Sequence, residues 1–169
     1  ALERERQTQA LYLLTSHLTE AKELSDAAET AVSVISDLLD CRAACLCYDE
    51  TGEPEKTFLQ RTEEGKLVRR RLENGEEVKK RLENLRDPFY AGEEFYDWPV
   101  YGGEGILGVV RIPGEKAEAF EETQKIFLHS MLECVALAMD RILAVRKQVR
   151  SRQQIQQERY RGNLLRAIS

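Results

Sequence analysis

The residues best equipped for chemistry are Cys41, Cys45 and Cys47, with Cys134 far along the chain. Residues two apart on a strand share one face, so a Cys-x-Cys pair there can ligate a metal or exchange electrons. Zinc takes four ligands, and the spacing brings neither His17 nor His129 near the cysteines. The plainer expectation is a set of small, buried side chains on a central strand. Cysteines this few and this clustered make no disulfide framework, and a reducing cytosol is the expected compartment. With two histidines, each on a helical stretch, general acid–base catalysis is not expected, and no Ser/His/Asp or Cys/His set can be assembled. His129 lies in Phe127-Leu128-His129-Ser130-Met131, which is not a phosphoacceptor box. Gly102-Gly103-Glu104-Gly105 leads into a strand rather than a helix, so it reads as a hairpin turn, not a phosphate loop. No catalytic residue, cofactor site or metal site is expected in this segment.

Aromatic residues offer the other candidate. Six of the twelve fall between Phe89 and Tyr101. Phe89, Tyr90, Phe95, Trp98 and Tyr101 are the candidate lining of a small-molecule pocket, or else they close a small core.

These side chains need elements to position them. Leu11, Leu14, Leu18 and Ala21 recur with helical spacing within a first helix over residues 2–23. A second helix, N-capped by Ser25 with Asp26 in its first turn, runs to Leu39. Residues 42–48 form an apolar run without alternation, which fits a strand buried on both faces. Lys56–Thr62 follows as a strand, Lys66–Leu72 as a third strand or an extended edge, and Gly75–Leu85 as a short helix broken by Asp87-Pro88. Glu94–Tyr101 and Ile106–Ile112 complete the sheet; Pro113-Gly114 opens a linker. From about Glu121 to Ser169 the chain is one helix, on the order of 70 Å long. This order predicts an α+β fold, an antiparallel sheet with the N- and C-terminal helices packed on one face.

The composition is 33% charged and 42% hydrophobic, that of an ordinary globular protein. No apolar run is long enough to span a membrane, and no signal peptide is visible. Charge is unevenly spread: Arg141–Ser169 carries eight basic residues and one acid, whereas residues 1–140 carry a net −12. Without base-reading side chains beside it, the basic stretch reads as the solvated face of a coiled coil, and no nucleic-acid partner is expected. The chain starts with Ala1 and stops in mid-pattern at Ser169, as an excised piece of a larger protein would.

Gly105-Ile106-Leu107-Gly108-Val109-Val110, followed by Phe120-Glu121-Glu122-Thr123-Gln124, resembles the last strand and helix start of GAF domains. The resemblance covers residues 8–145. Cyclic-nucleotide-binding members carry an Asn-Lys…Phe…Asp-Glu pattern that is not found here. Glu158–Ser169 resembles the helix that leads into the phosphoacceptor box of sensor histidine kinases, stopping one residue before the histidine. Arg6–Leu18 is similar to the helix entering the GAF domain of KdpD-type osmosensitive potassium-channel sensor kinases. The resemblance implies a cytoplasmic domain of a membrane protein. In the parent, a kinase core would use ATP to autophosphorylate and would pass the phosphoryl group to a response regulator of potassium uptake.

The expected division is a leading signalling helix over residues 1–24, a GAF-like domain over 25–145 and a coiled-coil linker over 146–169. Leu128, Val135, Ile142 and Val149 recur every seven residues, accompanied by Met131, Ala138 and Val145. With Leu11, Leu14 and Leu18 they are the expected seam of a homodimer. The stripe is interrupted at Arg152, Gln156 and Arg159, which marks a change in winding. Three functions follow in order: a non-catalytic relay through dimeric helices, a small-molecule sensor whose ligand is unknown, and a cysteine-dependent redox enzyme.

Overall fold

The structure, a computed structural model, describes residues 2–168. Its elements are α1 (Leu2–Glu20), α2 (Leu24–Leu39), β1 (Ala44–Cys47), β2 (Thr57–Arg61), β3 (Leu67–Arg71), α3 (Gly75–Glu83), β4 (Tyr90–Ala91), β5 (Phe95–Tyr101), β6 (Ile106–Pro113), α4 (Gly114–Glu118) and α5 (Glu122–Ile168). The six strands form one sheet in the order β3-β2-β1-β6-β5-β4. Every neighbouring pair is antiparallel.

β1 lies inside the sheet and all four of its residues are buried, which explains its unbroken apolar run. Its register pairs Cys45 with Val110 and Leu46 with Val109. Cys45 and Cys47 face the larger core, beneath α1, α2 and α5. Leu46 and Tyr48 face a smaller core, roofed by Val78 and Leu82 of α3. The N- and C-terminal helices thus share one face, and α3 covers the other. Between α3 and the sheet remains a void of about 20 Å³, lined by Leu46, Phe58, Val78 and Val109 among others. It is of the order of a single water's room.

Gly108 shows why the last strand carries glycine. A Cβ there would stand 2.6 Å from the Leu46 carbonyl oxygen, closer than the two strands allow.

Three local expectations change. Ser25 is not the N-cap of α2. Glu23 is, and it forms a reciprocal capping box with Asp26. Leu24 is buried, so the helix starts early enough to carry it into the core. The linker after β6 is the short helix α4, and Tyr90–Ala91 adds a two-residue strand beside β5.

Candidate functional site

α5 is one 47-residue helix with two environments. From Phe127 to Ile142 it supplies the floor of the core. Residues 151–168 are exposed apart from Gly162, an arm of about 27 Å at helical rise.

Between them, α5 is fastened on several sides. The Asp140 carboxylate accepts the Gly103 N–H at 3.1 Å, which pins the β5–β6 turn. Arg141 donates to the carbonyl oxygens of Leu18 at 2.7 Å and Ala21 at 3.2 Å. These carbonyls close α1 and begin the corner into α2, where helix-end oxygens lack intrahelical donors. Arg146 pairs with Glu23, the N-cap of α2. Arg150 pairs with Glu50 in the β1–β2 turn at 2.5 Å.

Arg6 near the start of α1 donates to the Asp37 carbonyl near the end of α2. Arg146, late in the buried part of α5, reaches the start of α2. So α1 and α2 are antiparallel, α2 and α5 are antiparallel, and α1 and α5 run parallel.

This arrangement corrects the expected dimer seam. Leu14, Leu18, Leu128, Met131, Val135, Ala138 and Ile142 are all buried inside the chain's own core, and Leu11 packs against it. A side chain filling its own subunit's core has no surface left for a partner. Of the seven-residue stripe on α5, Val145 and Val149 alone are exposed. The uncovered apolar side chains on the domain part of α5 are Leu137, 71% exposed, and Ile126, 66% exposed, near its start. Cys134, Leu137, Arg141 and Ala144 recur at three- and four-residue steps, one ridge beside α1. Continued at those steps, the ridge runs through Gln148, Ser151, Ile155, Glu158, Gly162 and Leu165. Sequence periodicity missed it because the helix is apolar almost all round from Ile126 to Ile142.

The aromatic candidates do not converge. Phe89 stacks on Tyr96 and Trp98, with centroids 5.4 and 5.0 Å away, and Trp98 continues to Phe120 at 6.4 Å. That group belongs to the larger core. Tyr90 packs on the opposite face, under the Arg81 guanidinium. Phe95 lies beneath Arg111 at 3.5 Å. Tyr101 borders a half-open cleft of about 720 Å³ at the exit of α5, with Leu82, Leu107, Leu143 and Lys147. Alternation along β5 sends neighbouring residues to opposite faces, so closeness in sequence is not closeness in space.

A buried ion pair escaped the sequence reading. Asp97 is 1% exposed and accepts two hydrogen bonds from Arg111, at 2.7 and 3.0 Å, across the β5–β6 ladder. Strand pairing sets Asp97 opposite Arg111, a juxtaposition visible only once register is known.

Cys41 and Cys45 sit in environments that suppress thiolate. A hydrogen bond with Cys47, then burial, pushes the Cys45 thiol well above its ordinary value. Burial raises Cys41 to about 11. The Cys47 thiol is buried and donates weakly to the Leu24 carbonyl at 3.8 Å. Thiolate is the reactive form, so Cys45 is a poor nucleophile, and Cys47 is shielded by its burial. Ellman's reagent near neutral pH is expected to leave both untouched until the protein is denatured. Rapid labelling of either in the native state would reopen redox chemistry. His17 is exposed, and His129 is exposed beside Glu133 at 3.0 Å.

No protein-family model matches the chain. Over 174 aligned residues it is 25% identical to the sensor protein KdpD of Clostridium acetobutylicum, which covers 98% of the chain. The chain spans only 19% of that relative's length. Its structure matches the GAF domain of the potassium sensor histidine kinase KdpD from Escherichia coli, with a TM-score of 0.64 and 18% identity over 84% of this chain and 99% of that one. The GAF domain of an Acinetobacter phosphoenolpyruvate-protein phosphotransferase aligns with a TM-score of 0.54 and 18% identity, covering 83% of this chain and 97% of the other. The fold is therefore that of a GAF domain.

Proposed function

We propose that this chain is the relay segment of a dimeric, KdpD-type sensor histidine kinase: a non-catalytic GAF domain that passes a change in helix packing to a kinase core. The carrying observation is the single helix α5, which is core along its first half and arm along its second. A helix so built cannot turn at one end without turning at the other. The likeness to two KdpD proteins supports the parentage. In that parent the domain is cytoplasmic. ATP and a response regulator governing potassium uptake are partners of the kinase core, not of these residues.

The ridge Cys134–Leu137–Arg141–Ala144 is the dimer face, and its continuation makes the arm a parallel two-stranded coil. A lone helical arm of this length is marginal in water, and a second arm supplies what it lacks. Its polar positions leave the coil weak, as a joint with two states needs.

The test grafts this chain into Clostridium acetobutylicum KdpD in place of the matching segment and measures autophosphorylation. A four-residue insertion after Gln154 is expected to change the rate strongly, and a seven-residue insertion to restore it, because seven residues return the heptad phase. Equal effects of the two insertions would remove the relay reading.

A further inference from the structure

We propose that Arg141 and Arg146 form a grip through which α1 drives α5 directly, without crossing the sheet. The inference rests on the relay reading and names the residues that carry the relay.

Three observations lead here. First, Arg141 reaches two carbonyl oxygens, Leu18 and Ala21, on either side of the α1 terminus. One terminal nitrogen, Nη2, donates to both, which ties α5 to the two sides of the corner at once. Second, five residues on, Arg146 holds Glu23, on the far side of the same corner. The short segment Ala21-Lys22-Glu23 is thus held at both ends by one helix. Third, the two fastenings stand at the last buried turn of α5: Ile142 is 2% exposed, whereas Val145 is 51% exposed. A rotation imposed there passes one more fastening of α5 on the domain, the Arg150–Glu50 pair at the surface, before it reaches the exposed arm.

A route through the sheet is poorer. α5 meets the sheet through buried apolar side chains, which carry no directional bond from α1 to α5. Guanidinium bonds to carbonyls are charge-assisted and directional, yet they sit at a partly solvated corner that can move.

Arg141 and Arg146 are positioning residues, and the experiment must read transmission rather than stability. The native chain, with the half-buried Cys41 and Cys134 changed to alanine, carries a spin label at Gln153→Cys, exposed and on the far side of the arm from the Ser151 ridge. A parallel dimeric coiled coil is fused ahead of Leu2 either directly or through four extra residues, which turns the junction by about 40°. Pulsed electron resonance then measures the distance between the two arms. The two fusions are expected to give distinct distances in the native background. In Arg141→Met/Arg146→Met the difference is expected to vanish, and in the single variant Arg146→Met to shrink, while both still melt cooperatively. An undiminished difference in the double variant, or in the single variant should the double not fold, overturns the grip and leaves the relay standing. Identical distances in the native background overturn both.

Discussion

At dilutions that leave the native chain monomeric, Leu128→Ala is expected to lower the melting temperature by about 9 °C, whereas Leu137→Asp leaves it within about 2 °C. Leu128 has no exposed surface. Truncating a fully buried leucine typically costs about 3 kcal/mol, from lost transfer energy and from the cavity left behind. In a chain of this size each kcal/mol moves the midpoint by about 3 °C. Leu137 is 71% exposed, so an aspartate there meets water and costs about 0.5 kcal/mol. Its effect is on association: sedimentation equilibrium is expected to show the native chain as a dimer and Leu137→Asp as a monomer. The pair separates two faces of one helix. If Leu128→Ala left stability unchanged but abolished association, the seven-residue stripe would be the dimer seam after all.

Asp97→Ala should cost about 3 kcal/mol in urea unfolding, because it strands Arg111 on the sheet without its carboxylate. The Arg111 side chain is 23% exposed, so water reaches part of the guanidinium and holds the loss at the lower end of the range for buried pairs. Its stacking on Phe95 also loses definition, since the two carboxylate bonds set the plane of the guanidinium. Asp97→Leu with Arg111→Met should recover most of the loss, as paired apolar replacements of buried ion pairs do. The coupling should barely change with added salt, because a carboxylate this deeply buried is little screened. A cost below about 1 kcal/mol for Asp97→Ala, against that expected range, would show that the pair is ornamental.

Much of the fold was legible because its signals are local. The unbroken apolar run of β1, the β-branched β6 and the breakers at Gly52, Gly65 and Pro113 each act over a few residues. The exposed ridge proposed as a dimer face was not. On α5, Leu128 and Leu137 are both leucines in an apolar helix, and what separates them is which side α1, α2 and the sheet occupy. The heptad Leu128–Val135–Ile142 is genuine, but the domain's own core uses it. Ser25 looked like a cap by residue type, yet the burial of Leu24 decided where α2 starts. Asp97 and Arg111 are fourteen residues apart and become a pair only through strand register. Tyr101 is the one aromatic candidate that reaches a sizeable cleft; Trp98 alternates into the larger core with Phe89, Tyr90 lies under Arg81 and Phe95 under Arg111.

The two margins of the sheet carry a last consequence. β4 is two residues long, too short to template another strand, and the outer strand β3 ends in Arg69, Arg70 and Arg71. Two copies meeting edge to edge would bring those guanidiniums together, and like charges facing across a ladder repel. The sheet is thereby barred from growing into a continuous ribbon with its own kind. That veto protects the chain from aggregating at high local density. It also means that when two copies do meet, only the helical side is left to greet them.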